Sequence, residues 1–106
     1  MTKRLRRFEV LLPLQFNDGR PVPEKLLGKA IREILDRFGA ATSETQKLKG
    51  FWRHKGRTYH EQYSRTIVDV PDTARNRQWI REFKSRWKEK LEQIELWIVS
   101  YRVEIE

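Results

Sequence analysis

Few residues in this chain can do chemistry. It has two histidines, His54 and His60, and no cysteine. Thiol nucleophiles, zinc–thiolate sites and disulfides are therefore excluded, and a reducing cytoplasm is the expected compartment. A metal site would need carboxylates, and the sequence gathers these into no tight cluster, so neither metal nor cofactor is expected. Both histidines lie in "KGFWRHKGRTYHEQYSR", residues 49–65. If Lys55-Gly56 is a two-residue hairpin turn, His54 faces Arg57, Trp52 faces Tyr59 and Phe51 faces His60. Trp52, His54, Arg57, Tyr59, Glu61 and Tyr63 then share one side of the ribbon. The histidines point opposite ways, so one metal ion could not use both. A His54–Glu61 pair is the general acid–base arrangement this register allows.

Lys49-Gly50-Phe51 opens like the RNA-reading strand of an RRM domain, where small residues admit bases and aromatic rings stack on them. Here Trp52 replaces the small fourth residue and the later aromatics are missing, so the likeness ends after three letters. Asp69 and Asp72 in "VDVPDT" are candidate catalytic carboxylates, but Asp72 reads more simply as a helix cap. A Gly-rich phosphate loop and a nucleophile–base pair at recognisable spacing are both absent. No residue is assigned a catalytic role.

The charge balance is more informative. Lys and Arg number 23 against 15 Asp and Glu, a net charge of +8. That favours polyanionic partners such as nucleic acid, or an acidic protein. Two groups of cations could make the contact. Arg53, Lys55 and Arg57 sit at the hairpin tip. Arg77, Arg81, Lys84 and Lys88 recur at helical spacing along one exposed stripe of a segment, 75–90, holding seven positive and two negative side chains. Glu82 is placed to pair with Arg86 four residues on.

These residues must be positioned by the surrounding elements. Phe8, Val10, Leu12 and Leu14 alternate with Glu9, Leu11, Pro13 and Gln15 as in a strand, and Asn17-Asp18-Gly19 makes a turn. A helix should begin at Pro23, bury Leu27, Ala30, Ile31, Ile34 and Phe38, and end at Gly39. Residues 40–48 read as a polar connection or weak edge strand. The hairpin follows, its second strand running to Val70. A second helix then carries Ile80, Phe83, Trp87, Leu91 and Ile94. The last strand, 95–105, alternates Trp97, Val99, Tyr101, Val103 and Ile105 with Leu96, Ile98, Ser100, Arg102 and Glu104.

The order is βαββαβ, a ferredoxin-like α+β domain with two helices on one face of a four-stranded antiparallel sheet. The whole chain, 1–106, forms one domain, with residues 1–6 a flexible basic start. The longest apolar run is too short to span a bilayer, and a signal peptide is not expected. The more apolar side of the last strand, Trp97 to Ile105, is the expected core side. Leu96 and Ile98 then join Leu11 and Ile67 on the open face, which becomes a dimer or ligand face.

The strings "RRFEVLLPLQFNDG", "GFWRHKGRTYHEQ", "VDVPDT" and "EFKSRWKEKLEQIELWIVSY" together resemble a group of small bacterial proteins common in cyanobacteria. The resemblance spans almost the whole chain. No activity attaches to that group, so the resemblance implies a self-contained domain and transfers no catalytic residue. The leading reading is a non-catalytic, homodimeric binding module with a basic surface for nucleic acid. The alternatives are a small dimeric α/β-barrel-type enzyme or ligand binder, and an accessory subunit docking another protein through its sheet face.

Overall fold

The computed structural model describes residues 3–106. Its elements are β1 (Lys3–Pro13), α1 (Glu24–Phe38), β2 (Thr42–Ser43), β3 (Leu48–His54), β4 (Arg57–Pro71), α2 (Ala74–Lys90) and β5 (Ile98–Ile105). β1 and β4 lie at the centre, antiparallel, with Phe8 opposite Val68 and Leu12 opposite Ser64. β5 pairs antiparallel with the other edge of β1. Both β2 and β3 pair with the outer edge of β4, Thr42 opposite Ile67 and Leu48 opposite Tyr63. The sheet therefore has five strands and not four: residues 40–48, expected as a polar connection or a weak edge strand, contribute the two-residue strand β2 at the edge. Polar Glu44 follows it, its N–H on Arg65 O at 2.9 Å and its carboxylate accepting from the Arg65 side chain.

Alternation decides which side of each strand meets the helices. Phe8, Val10 and Leu12 of β1 and Val68 and Val70 of β4 are buried against Ala30 and Ile34 of α1 and Ile80, Phe83 and Trp87 of α2. Each of these apolar side chains contributes roughly 1.5–3 kcal/mol when fully buried. Rings run through the layer from Phe38 to Trp79, Phe83 and Trp87, with successive centroids 5.2, 5.4 and 6.1 Å apart. Glu33 ties the helices together, accepting from Trp87 Nε1 at 2.9 Å and Arg86 Nη2 at 3.0 Å. Arg86 thus pairs across to α1 and not with Glu82, whose carboxylate accepts from Gln78.

Gly39 closes α1, its N–H on Leu35 O, and Pro23 stands just outside the first turn. Thr73, not Asp72, caps α2, its Oγ1 accepting from Asn76 N at 3.1 Å. The helix ends at Lys90, which leaves Ile94 beyond it and exposed. The basic start expected to be flexible joins the sheet from Lys3, opposite Ile105 of β5; residues 1 and 2 lie outside the described residues. No helix among the described residues is long and apolar enough to cross a membrane.

β5 is turned over relative to expectation. Leu96 is 1% exposed and Ile98 packs on the core, while Trp97, Tyr101 and Ile105 face away from the helices. Register is the reason: Val10 sits opposite Ile98, Phe8 opposite Ser100 and Arg6 opposite Arg102. Ser100 and Arg102 reach the helix face at its polar end, where Asp72 is waiting. Asp72 accepts from Arg6 Nε at 2.9 Å, Arg77 Nη2 at 2.7 Å and Arg102 Nε at 3.1 Å. Arg6 Nη1 also donates to Ser100 Oγ at 3.0 Å. One carboxylate thereby joins β1, α2 and β5.

The Arg6 guanidinium, with Arg77 beside it, holds the Asp72 carboxyl well below the usual carboxylate range. A carboxyl depressed in the folded state contributes stability above the unfolded value, about pH 4, that is lost as pH falls through the folded one. Asp72→Asn should lower the urea midpoint at neutral pH and lose less of it between neutral and strongly acid solution than the wild type. Parallel midpoint-against-pH curves for the two proteins would contradict this.

Candidate functional site

The hairpin is an arm. β1 ends at Pro13, opposite Tyr63, so Arg57–Gln62 of β4 pair with β3 alone. An isolated two-stranded ribbon is marginal in water, so side chains must hold it. Its turn is Lys55-Gly56, with φ of 49° and 76°. Positive φ at both positions is the I′ geometry that matches strand twist, and Gly56 adopts it without strain. The pairing is the one expected: His54 with Arg57, Trp52 with Tyr59, Phe51 with His60.

On one side of the arm Trp52 stacks on Tyr59, centroids 4.4 Å apart, and the Arg57 guanidinium lies 4.7 Å from the Tyr59 ring centre. Tyr63 lies across Gly50, where a Cβ would overlap its ring. Its hydroxyl donates to Glu61 Oε2 at 2.6 Å. Burial, then the Glu61 carboxylate, pushes the Tyr63 hydroxyl well above the usual phenol range. Glu61 is only 8% exposed. Its Oε1 and the neighbouring Trp52 Nε1 are buried without hydrogen-bond partners among the described residues. His54 is two same-side rungs from Glu61, about 13 Å along the ribbon. The His54–Glu61 acid–base pair is therefore not assembled: Glu61 bonds to Tyr63, and His54 leans on Trp52.

The opposite side of the arm roofs a cleft of about 630 Å³, floored by the turn that follows β1. Phe51, 67% exposed, meets His60 edge-to-face at 5.1 Å on the roof. Gln15 and Gln62 join roof to floor through Gln62 N to Gln15 Oε1 at 3.2 Å. On the floor Asp18 accepts from Arg20 N and Nε, at 3.0 and 2.6 Å. The Arg20 backbone N–H, then its side chain, holds the Asp18 carboxyl below its ordinary value. Arg20 covers the Phe16 ring at 4.6 Å. Asn17 anchors the turn through Nδ2 to Glu92 O at 3.2 Å, and its Oδ1 is buried without a partner among the described residues. Lys49 lines the same cleft.

The expected cation groups are divided. Arg53 donates to Thr58 Oγ1 at 3.3 Å, Lys55 is in the turn and Arg57 is on the Tyr59 side, so the three share the tip but not one surface. Of the helix stripe, Arg77 is engaged by Asp72, and Lys84 by Glu95 at 3.1 Å. Among the described residues Arg81 bonds to the neutral Gln78, at 3.5 Å, and Lys88 lies near enough to Glu95 to favour its ionised form. Of the four residues expected on the open sheet face, Leu11 and Ile67 lie there, whereas Leu96 and Ile98 lie beneath the helices. The cleft and the Tyr63–Glu61 pair escaped the sequence reading. Gly50 inside a strand was the available signal, because a strand glycine marks a close approach.

No family model matches the chain, and no curated protein does. Among solved structures it is similar to a phage SAM lyase in complex with S-methyl-5'-thioadenosine, with 11% identity and a TM-score of 0.67 over 95% of this chain and 88% of that one. It also matches a de novo designed protein with a ferredoxin fold, with 16% identity and a TM-score of 0.36 over 93% and 83% of the two chains. The first likeness is one of fold.

Gly50→Ala should displace the Tyr63 ring and cost about 1–3 kcal/mol, the usual range for overpacking. In a Tyr63→Ala background the same change should cost little, a coupling that urea unfolding of the four proteins measures. Equal costs in both backgrounds would remove Tyr63 as the reason for glycine.

Proposed function

We propose that the protein is a non-catalytic binding module that takes a nucleobase of a nucleic-acid strand into the cleft beneath the arm. The carrying observation is the cleft itself. Its volume falls within the range of small-ligand sites, roughly 300–1,000 Å³. Phe51 offers a ring for stacking, and the carboxamides of Gln15 and Gln62 can read a base edge. Lys49 borders the cleft, and Lys55 stands at the arm's tip, where flanking phosphates would run. Arg81 and Lys88 extend the attraction along α2.

A second reading has its own support. The phage SAM lyase shares the fold and holds an adenine nucleoside derivative. On that reading the cleft takes a free adenosyl compound, and the protein is a small ligand binder or enzyme.

One titration separates the two. Anisotropy of a labelled single-stranded oligonucleotide should show binding that weakens steeply between about 50 and 200 mM salt. Phe51→Ala should weaken it about 5- to 150-fold, the equivalent of one base–aromatic stack of about 1–3 kcal/mol. Lys49→Glu should lower the salt slope by about one. Calorimetric binding of S-adenosylmethionine or S-methyl-5'-thioadenosine, lost in Phe51→Ala, with no retention of oligonucleotide, would move the assignment to the second reading. Binding of neither class at low salt would end both.

A further inference from the structure

The face of the sheet away from the helices has no cover. Along β5 it presents Trp97, 60% exposed, with Val99, Tyr101, Val103 and Ile105 after it. On β1, Leu5 opposite Val103 and Leu11, whose N–H bonds to Trp97 O, extend the apolar margin inward, while Ile67 of β4 lies beyond Glu9. An exposed apolar and aromatic margin of this kind, from Trp97 to Ile105 beside the ion-paired centre of the sheet, marks an interaction surface on a polar chain. We infer that its occupant is a second copy of this chain, packed sheet against sheet.

Charge argues for a copy over a different partner. A chain of net charge +8 repels itself, and its exposed basic regions would draw acidic partners. The open face is the exception. The charged groups at its centre are closed into internal pairs, Arg7 with Asp69 at 2.8 Å and Arg65 with both Glu9 and Glu44, while exposed Lys3 stands at its end opposite Ile105. Tyr101 Oη donates to Glu9 as well. With Lys3, three cations against three carboxylates leave this region close to neutral. Two copies meeting here keep their remaining positive charge directed outward. An acidic partner finds nothing to attract it.

Size is compatible. Four strand positions at about 4.8 Å and about nine residues at about 3.3 Å project to roughly 600 Å². Side-chain relief brings that near the roughly 800 Å² per partner of a standard interface. Trp97 and Tyr101 are the residue types that dominate binding energy at such surfaces. A two-fold arrangement places Trp97 of one copy against the apolar strip of the other.

Light scattering after size exclusion, at high and low protein concentration, tests this. The wild type should approach a multiple of the 12.9 kDa chain mass as concentration rises. Trp97→Glu should raise the dissociation constant by about 30-fold or more, the effect of losing a hot spot, with an unchanged far-ultraviolet spectrum. Ile105→Glu, at a strand end, should weaken assembly in the same direction. Phe51→Ala should leave the mass unchanged while affecting the cleft, so failure here is distinguishable from failure of the nucleic-acid reading. A wild type that stays at one chain mass at every concentration would overturn the inference. So would Trp97→Glu and Ile105→Glu variants that both keep the assembled mass.

Discussion

Pro13 is the hinge of the whole arrangement. It has no N–H, sits at the end of β1 and pairs only on its β4 side, opposite Tyr63. With the central strand finished, β4 still extends back to Arg57, supported by β3 alone. The arm is therefore forced out of the sheet by strand lengths. Its persistence then rests on the Trp52–Tyr59 stack, the Phe51–His60 contact and the Tyr63 ring over Gly50. The chain leaving Pro13 turns beneath the arm, with Leu14 N bonded to Gln62 O at 2.9 Å and Phe16 N to Arg20 O at 2.8 Å. The cleft is the space that this divergence leaves.

The two faces of the sheet are set by a different constraint, the polar end of the helix layer. Asp72 gathers three cations, Arg6, Arg77 and Arg102, from β1, α2 and β5. Once Arg102 is committed to that side, alternation sends Tyr101 and Val103 to the other. The apolar residues of β5 are thus exposed because Leu96 and Ile98 take the core side in register with Val10, although composition alone would have placed the others there. The Arg7–Asp69 pair and the Arg65–Glu9–Glu44 group then divide that face into an aromatic margin and a closed polar centre.

Legibility in the sequence followed the range of the interactions. The hairpin register was readable because a two-residue turn fixes every rung, and Trp52 opposite Tyr59 agrees with it. The helices were readable to within a turn from Ala30, Ile34, Ile80, Phe83 and Trp87. The orientation of β5 was not, since alternation defines two sets of residues without saying which meets the helices. Leu96 and Ile98 therefore changed sides. The role of Asp72 was hidden for the same reason: next to Thr73 it resembles a cap, and only the fold brings Arg6 and Arg102 to it. The cleft depends on Gln15 and Asn17 meeting Gln62 and Glu92, contacts far apart in the chain. No local pattern encodes those.

The same ledger of pairs explains how one small basic chain can present two surfaces of opposite character. Asp18, Glu33, Asp36, Glu44, Asp69, Asp72 and Glu95 are all engaged by cations. Part of the excess positive charge therefore appears as separate groups, with Lys49, Lys55 and Arg57 on the arm and Arg81 and Lys88 on α2. The open face carries almost none of it. Added salt then acts on the two surfaces in opposite senses. On the two proposals made above, screening would weaken attraction between the arm and a polyanion and relieve the mutual repulsion of two chains meeting through the open face. A polyanion seated on the arm would also offset part of the charge that opposes assembly.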